Sequence, residues 1–178
     1  MTHPIHIWHV EYVNFAKLLD LLDGQLVTLQ AAGRPDYELI RDIIHYLRVY
    51  SDRYHHPRED LAFALMLKGD PSLELVINRL LQEHRVIAAA GEDVANGVQQ
   101  VLEDTLLLRE SLERALALYI TFYRHHLNSE ESKIMPLAIK MLGPGDWEEI
   151  NEAIPAAADP LFGDRPQARF AALRRYLT

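Results

Sequence analysis

Two short stretches of this 178-residue chain each set a histidine four residues ahead of a carboxylate. The first pair is His55 with Glu59, and the second is His126 with Glu130. Positions i and i+4 of an α-helix lie on one face, so each pair can offer a nitrogen and an oxygen to one point. Two such helices facing each other would form a four-ligand cage, as in the carboxylate-bridged di-metal sites of helix bundles. The pattern therefore predicts helices packed around a metal site.

Apolar residues recur at spacings of three and four along most of the chain, which predicts four long amphipathic helices. Their expected ranges are about 5–30, 37–67, 72–102 and 109–142, with the join between the last two somewhere in 103–109. Pro57 lies inside the second helix and should disturb it beside the first histidine pair. Asp36 and Asp70 are candidate N-caps for the second and third helices.

The predicted fold class is all-α, an antiparallel up-down four-helix bundle with a short helical C-terminal extension. The bundle is expected to occupy about 5–142 and the extension 143–178. A chain of this length fits one domain, so we expect 1–178 to form a single domain.

Charge and composition narrow the classes of partner. The formal net charge of −8 argues against nucleic acid or an anionic membrane as a partner. No apolar run reaches the length of a membrane span, and the first ten residues lack the apolar core of a signal peptide; we expect a cytoplasmic protein. The absence of cysteine leaves only nitrogen and oxygen ligands, which suit iron, manganese or zinc.

Further candidate ligands lie on the two remaining helices. The third helix offers His84, which follows Glu83 and lies among apolar residues. The first helix offers His9, with Tyr12 one turn later, on or near its apolar face. The partners of the doubled motifs, His56 and His125, could be groups that hydrogen-bond to the ligands or solvated surface residues, and the sequence favours neither.

These motifs resemble the hemerythrin-like (HHE cation-binding) family, in particular its bacterial single-domain members. The family's pattern is one histidine on helix one, HxxxE on helix two, one or two histidines on helix three, and a histidine–carboxylate pair on helix four. The stretches 53–60 and 125–131 match it closely, as does the Glu83-His84 pair, and the similarity covers roughly 5–142.

The resemblance implies a non-haem di-iron centre inside the bundle, with which an oxo or hydroxo bridge would be compatible. Glu59 and Glu130 would bridge the irons, and His55, His84 and His126 would be terminal ligands. Shared carboxylates offset the repulsion between two cations, and neutral imidazoles add no further charge.

The sequence departs from the family's pattern in two places. Ala88 stands where oxygen-carrying members have a second helix-three histidine, so the site should be more open than in an oxygen carrier. On helix one, register puts Tyr12 at the position of the family's histidine. Either Tyr12 ligates iron as a phenolate, or His9 supplies an imidazole from the adjacent turn, or Tyr12 packs in the core and one iron loses a ligand.

Three classes of function follow. The protein could bind or sense O2, NO, peroxide or iron; it could be an enzyme of peroxide or NO chemistry or of the repair of damaged iron centres; or it could be a helical interaction protein without a functional metal. The last is least favoured, because buried histidine and glutamate clusters are costly unless they are coordinated or paired. The residues do not decide between binding and catalysis.

Overall fold

The computed structural model describes residues 4–105, 108–155 and 157–177, and in these ranges the chain is helical without a strand. The α-helices are α1 (Pro4–Gln30), α2 (Tyr37–Tyr46), α3 (His56–Gly69), α4 (Glu74–Leu102), α5 (Arg109–Ser129), α6 (Met135–Met141), α7 (Pro144–Ala153) and α8 (Ala171–Arg174). Two π-helical segments, Leu47–His55 and Glu130–Ile134, join α2 to α3 and α5 to α6. Short 3₁₀ turns, Pro71–Leu73 and Ala168–Phe170, precede α4 and α8.

Four helical arms form the bundle: α1, α2 continued by α3, α4, and α5 continued by α6. α1 packs against α2 and α5, and α4 packs against α2, α3 and α5, which closes a ring of four. This confirms the predicted all-α bundle. None of the helices in the described ranges is long and apolar enough to cross a membrane.

Both predicted N-caps are present. The Asp36 side chain accepts the N–H of Leu39 at 2.9 Å, and the Asp70 side chain accepts the N–H of Ser72 at 3.0 Å. Each carboxylate thereby satisfies an N–H of a first turn that has no partner within its helix. The predicted join between the third and fourth helices is also observed, although residues 106 and 107 within it lie outside the described ranges.

The C-terminal extension packs against α1 and α3. The Trp147 ring meets the Trp8 ring edge-on at 5.3 Å between centroids. The buried guanidinium of Arg58 donates to the carbonyl of Ile154 and to the side chain of Asn151, both at 2.7 Å. The extension is therefore tied to α1 and α3 next to the first histidine pair.

Candidate metal centre

The first histidine pair lies where a helix changes its hydrogen-bond register. In the π segment Leu47–His55, the N–H of His56 donates to the carbonyl of Ser51, five residues earlier. Pro57 follows at the second position of α3. Proline has no N–H and its ring clashes with the carbonyl four residues before it, and a wider turn accommodates both defects. The disturbance that we expected at Pro57 takes this form.

The second pair repeats the arrangement. In the π segment Glu130–Ile134, the N–H of Met135 donates to the carbonyl of Glu130, and Pro136 follows at the second position of α6. Each pair of candidate ligands therefore lies on or beside a π segment that ends two residues before a proline.

The wider turn explains the position of His56. In an α-helix adjacent residues are about 100° apart, but a π turn holds more residues and the angle between neighbours is smaller. His55 and His56 are accordingly both buried, with 1 % and 3 % of their surface exposed. One alternative from the sequence was that His56 is a solvated surface residue, and its burial shows that this alternative is wrong. His125 is half-exposed, and its Nε2 accepts a hydrogen bond from the guanidinium of Arg79 at 2.9 Å.

Glu59 lies at the centre of the cluster and has donors on both sides. Its Oε1 accepts the hydroxyl of Tyr12 at 2.5 Å and lies 2.9 Å from Nε2 of His55. Its Oε2 lies 3.5 Å from Nε2 of His84. The carboxylate thus connects α1 and α3 to α4.

Glu130 occupies the equivalent place on the other side. Its Oε1 lies 3.5 Å from Nε2 of His84, and its Oε2 lies 3.2 Å from Nε2 of His126. His84 therefore faces an oxygen of each carboxylate. The side chains of Glu59 and Glu130 are almost completely buried.

The outer nitrogen of each of these imidazoles meets a further carboxylate. The pairs, joined Nδ1 to oxygen, are His55 with Glu11 at 2.7 Å, His84 with Asp60 at 2.7 Å and His126 with Glu83 at 3.1 Å. Metal-bound histidines characteristically make this second contact, which fixes the ring and directs the other nitrogen to the metal. The three Nε2 atoms are thereby directed into the cluster.

Several atoms in the middle of the cluster have no hydrogen-bond partner. They are Nε2 of His55, His84 and His126, Oε2 of Glu59, and both carboxylate oxygens of Glu130. Buried polar atoms normally have partners because leaving them unpaired is costly. A cation bound among them would satisfy all six, so the residues present fit a metal.

Electrostatics within the cluster support the same conclusion. Burial alone would lower the pKa of each of the three imidazoles, but the surrounding carboxylates outweigh it, and the pKa rises to about 10 for His55, about 12 for His84 and about 9 for His126. Burial alone would raise the pKa of the Glu59 and Glu130 carboxyls, but the imidazoles outweigh it and both fall. The carboxylates thus favour protonated imidazoles in the metal-free cluster, and a cation that bound there would displace those protons.

On α1 the structure brings Tyr12 to the cluster and leaves His9 outside it. Tyr12 is 4 % exposed, whereas the His9 side chain is 48 % exposed and pairs with Glu131 at 2.8 Å. The buried stripe of α1 runs through Trp8, Tyr12 and Phe15, and His9 lies one residue off it. The structure therefore contradicts the alternative in which His9 supplies the helix-one imidazole.

The hydroxyl of Tyr12 is protonated in this arrangement. Burial, followed by the neighbouring Glu130 and Glu59 carboxylates, raises the pKa of Tyr12 well above its ordinary value. A metal would have to displace that proton before the phenol could become a ligand.

Sequence reasoning missed the carboxylates that hold the imidazoles from outside, notably Glu11. Glu11 is 7 % exposed and is itself held by the hydroxyl of Tyr50, which donates to its Oε1 at 2.6 Å. The one feature of the sequence that could have pointed to Glu11 is its position, a charged residue next to Tyr12 on a largely apolar helix.

An all-helical bundle enclosing a cluster of histidines and glutamates defines a class of helical metal-binding proteins. A family model for the hemerythrin HHE cation-binding domain matches residues 3–138. The chain therefore belongs to this family, as its motifs predicted. No curated protein and no solved structure gives a significant match to it. The matched range ends within α6, so the C-terminal extension lies beyond it.

Proposed function

We propose that this chain is a non-haem di-iron protein that binds or senses a small ligand of the O2, NO or peroxide type. The observation that carries the proposal is the convergence of six buried nitrogen and oxygen atoms without hydrogen-bond partners. They belong to His55, Glu59, His84, His126 and Glu130.

The two carboxylates are the groups best placed to be shared between two cations. Glu59 faces His55 with one oxygen and His84 with the other, and Glu130 faces His84 and His126 in the same way. Negative charge shared between cations offsets their repulsion. The imidazoles would be terminal ligands, held in orientation by their outer carboxylates.

Tyr12 is the candidate ligand from α1. Its hydroxyl already contacts Glu59, so the loss of one proton would leave a phenolate oxygen beside the shared carboxylate. An anionic oxygen donor stabilises the ferric state against reduction.

A bound pair of iron ions would supply a redox-active position at which a diatomic ligand or peroxide can bind. Aromatic side chains cover the His55 side of the cluster. The Phe15 ring meets the His55 ring at right angles with 5.0 Å between centroids, and Trp8 packs edge-on against the same imidazole at 6.3 Å.

The donor set agrees with iron. It contains imidazoles, carboxylates and a phenol, with no thiolate, and suits iron, manganese or zinc. The affinity order of divalent metals does not favour iron over zinc, so the metal must be measured.

The first experiment is metal analysis and visible absorption of aerobically purified protein, repeated after anaerobic ferrous reconstitution. Two irons per chain with absorption in the near-ultraviolet and blue support the proposal, and an additional broad visible band supports phenolate ligation by Tyr12. A chain that holds one zinc, or no metal after reconstitution, contradicts it.

A second candidate function is catalytic turnover of peroxide or NO, including repair of damaged iron centres. It is favoured by Ala88, which stands where oxygen-carrying members have a second histidine on the third helix of the bundle. Repeated additions of substrate to the iron-loaded protein separate the two. A binder or sensor keeps a ferrous adduct for minutes, whereas an enzyme consumes successive equivalents.

A further inference from the structure

The histidine that the sequence did not assign, His56, lies inside the ligand cluster. Its ring stacks on the ring of His84 with 4.1 Å between centroids and 8° between planes. It meets the ring of His126 edge-on at 5.4 Å. One potential ligand atom from each of His56, Glu59, His84 and His126 lies within 4.8 Å of the others. His56 therefore lies in one group of potential metal ligands with Glu59, His84 and His126.

His56 shares one feature with the other three imidazoles, a carboxylate near Nδ1, although at a longer distance. Each of those directs Nε2 inward and has a carboxylate at Nδ1. Nδ1 of His56 lies 3.6 Å from Oδ1 of Asp52, one turn earlier. That oxygen is buried without a hydrogen-bond partner, so a small rotation of the ring would bring the two atoms into hydrogen-bond range.

Nε2 of His56 has a hydrogen-bond partner that a cation could replace. Nε2 lies 3.1 Å from the hydroxyl of Ser51. The same hydroxyl contacts the hydroxyl of Tyr123, so Ser51 keeps a partner if His56 turns away. The exchange would leave no buried group of this trio unpaired.

We propose that His56 is a ligand of one of two bound cations and supplies the imidazole that Ala88 does not; this inference rests on the proposed di-metal function. The donors then divide into two unequal groups around Glu59 and Glu130. One group comprises Tyr12 and His55. The other comprises the three imidazoles of His56, His84 and His126.

The division makes the two cation positions chemically different. Three neutral nitrogens around one cation favour its divalent state. A phenol oxygen and a single imidazole around the other favour a trivalent ion once the phenol has lost its proton. The missing helix-three ligand is thus replaced from the next residue of helix two, through the π turn that brings adjacent histidines to the same side.

Anaerobic cobalt(II) titration tests the assignment, with binding followed by visible absorption and by metal analysis. His56→Asn removes the imidazole while keeping a hydrogen-bonding group near Ser51. The matched control is His125→Asn, which changes the exposed member of the other doubled pair. We expect two cobalt ions per chain in wild type and in the control. In His56→Asn one ion should bind as before, and the second should bind about tenfold to a hundredfold more weakly. Removing a residue that only hydrogen-bonds to a metal ligand already causes a loss of this size.

The outcomes separate the two proposals. Two ions bound by His56→Asn with unchanged affinity overturn the assignment of His56 and leave the di-metal site intact. Fewer than two ions in wild type overturn the di-metal function and this inference with it.

A second measurement needs no variant and covers the case in which His56→Asn does not fold. In cobalt(II)-loaded wild type, each ligating imidazole contributes one paramagnetically shifted, solvent-exchangeable N–H resonance. Four such resonances are expected, and three would overturn the assignment.

Discussion

The two π segments have the same local structure but different surroundings. Each ends two residues before a proline, and each contributes one member of a histidine–carboxylate pair to the cluster. The first, Leu47–His55, has nine residues and is covered by the C-terminal extension, where the N–H of Ala157 donates to the hydroxyl of Tyr54 at 2.9 Å. The second, Glu130–Ile134, has five residues, of which the middle three are exposed.

The two segments contribute differently to the cluster. The first segment is longer and provides not only His55 but also Ser51 and Asp52, which surround His56. The second provides Glu130 and little else to the cluster. The covered π segment therefore contributes several residues that surround the ligands, whereas the exposed π segment contributes a single ligand.

The largest expected effect tests whether both segments serve one centre. Glu59→Ala and Glu130→Ala each remove an oxygen donor next to His84, so each should abolish binding of both metal ions, a loss greater than about a hundredfold. Metal content after reconstitution measures it. Glu131→Ala, next to Glu130 but half-exposed, is the control and should bind normally. Normal iron content in either central variant would show that the site is wrongly assigned.

A smaller effect compares the outer carboxylates of the two halves. Glu11→Gln and Glu83→Gln keep the size of the side chain but weaken its hold on His55 and His126, and each should lower metal affinity by about tenfold to a hundredfold. We expect the greater loss for Glu11, which is buried and held by Tyr50, than for Glu83, which is partly exposed. Equal affinities in wild type and both variants would contradict a role for these carboxylates in orienting the imidazoles.

The prolines themselves can be tested in pairs. Pro57→Ala and Pro136→Ala restore an N–H and remove the ring clash, so the helix can return to an ordinary register. We expect about a tenfold loss of metal affinity for Pro57→Ala, because two buried histidines depend on that turn, and a smaller loss for Pro136→Ala. Pro71→Ala, at a helix start away from the cluster, is the control. Unchanged affinity in both test variants would mean that packing alone maintains the π turns.

The extension should stabilise the first segment and not the second. Arg58→Ala removes the hydrogen bonds of a buried guanidinium to Ile154 and Asn151, at a cost of roughly 1.5–3 kcal/mol per bond to a charged group. Hydrogen exchange should rise in 47–58 and remain unchanged in 130–141. Arg124→Ala removes only a pairing with Asp20 and Asp23 at the surface and should change neither. A uniform rise in exchange would indicate general unfolding instead.

The last prediction concerns the pH dependence of the metal-free protein. The folded pKa values of His126, His55 and His84, about 9, 10 and 12, lie above the unfolded value of about 6.5. Their stabilising contribution is fully present below pH about 6.5 and is lost as pH rises through the folded values. Glu59 and Glu130 have lowered pKa values, so their contribution is lost as pH falls below about 4.5.

The melting temperature of the metal-free protein should therefore decrease between pH 6.5 and pH 9, by about 2–4 °C for each kcal/mol lost. The metal-loaded protein should show the opposite trend across pH 6.5, because protons compete with the cation for the imidazoles. Parallel curves for the two forms would indicate that these histidines do not bind the metal.

Much of the architecture was predictable because it depends on local patterns. Apolar spacing located the four arms, and Asp36 and Asp70 marked helix starts that the structure confirms. The i,i+4 spacing correctly brought His126 next to Glu130 and His55 next to Glu59. Such relations need only the geometry of one helix.

The sequence by itself thus determined the helices, the family and the inward-facing histidine–carboxylate pairs. Only the tertiary structure decided that Tyr12 rather than His9 meets the cluster, that His56 is inside it, and which carboxylates hold the imidazoles. The position of His56 depends on the hydrogen-bond register, which a proline and the packing around it set together. The outer carboxylates of His55 and His126 lie 44 and 43 residues away in sequence, so no periodicity within one helix relates them. Contacts of that kind exist only once the arms of the bundle have come together.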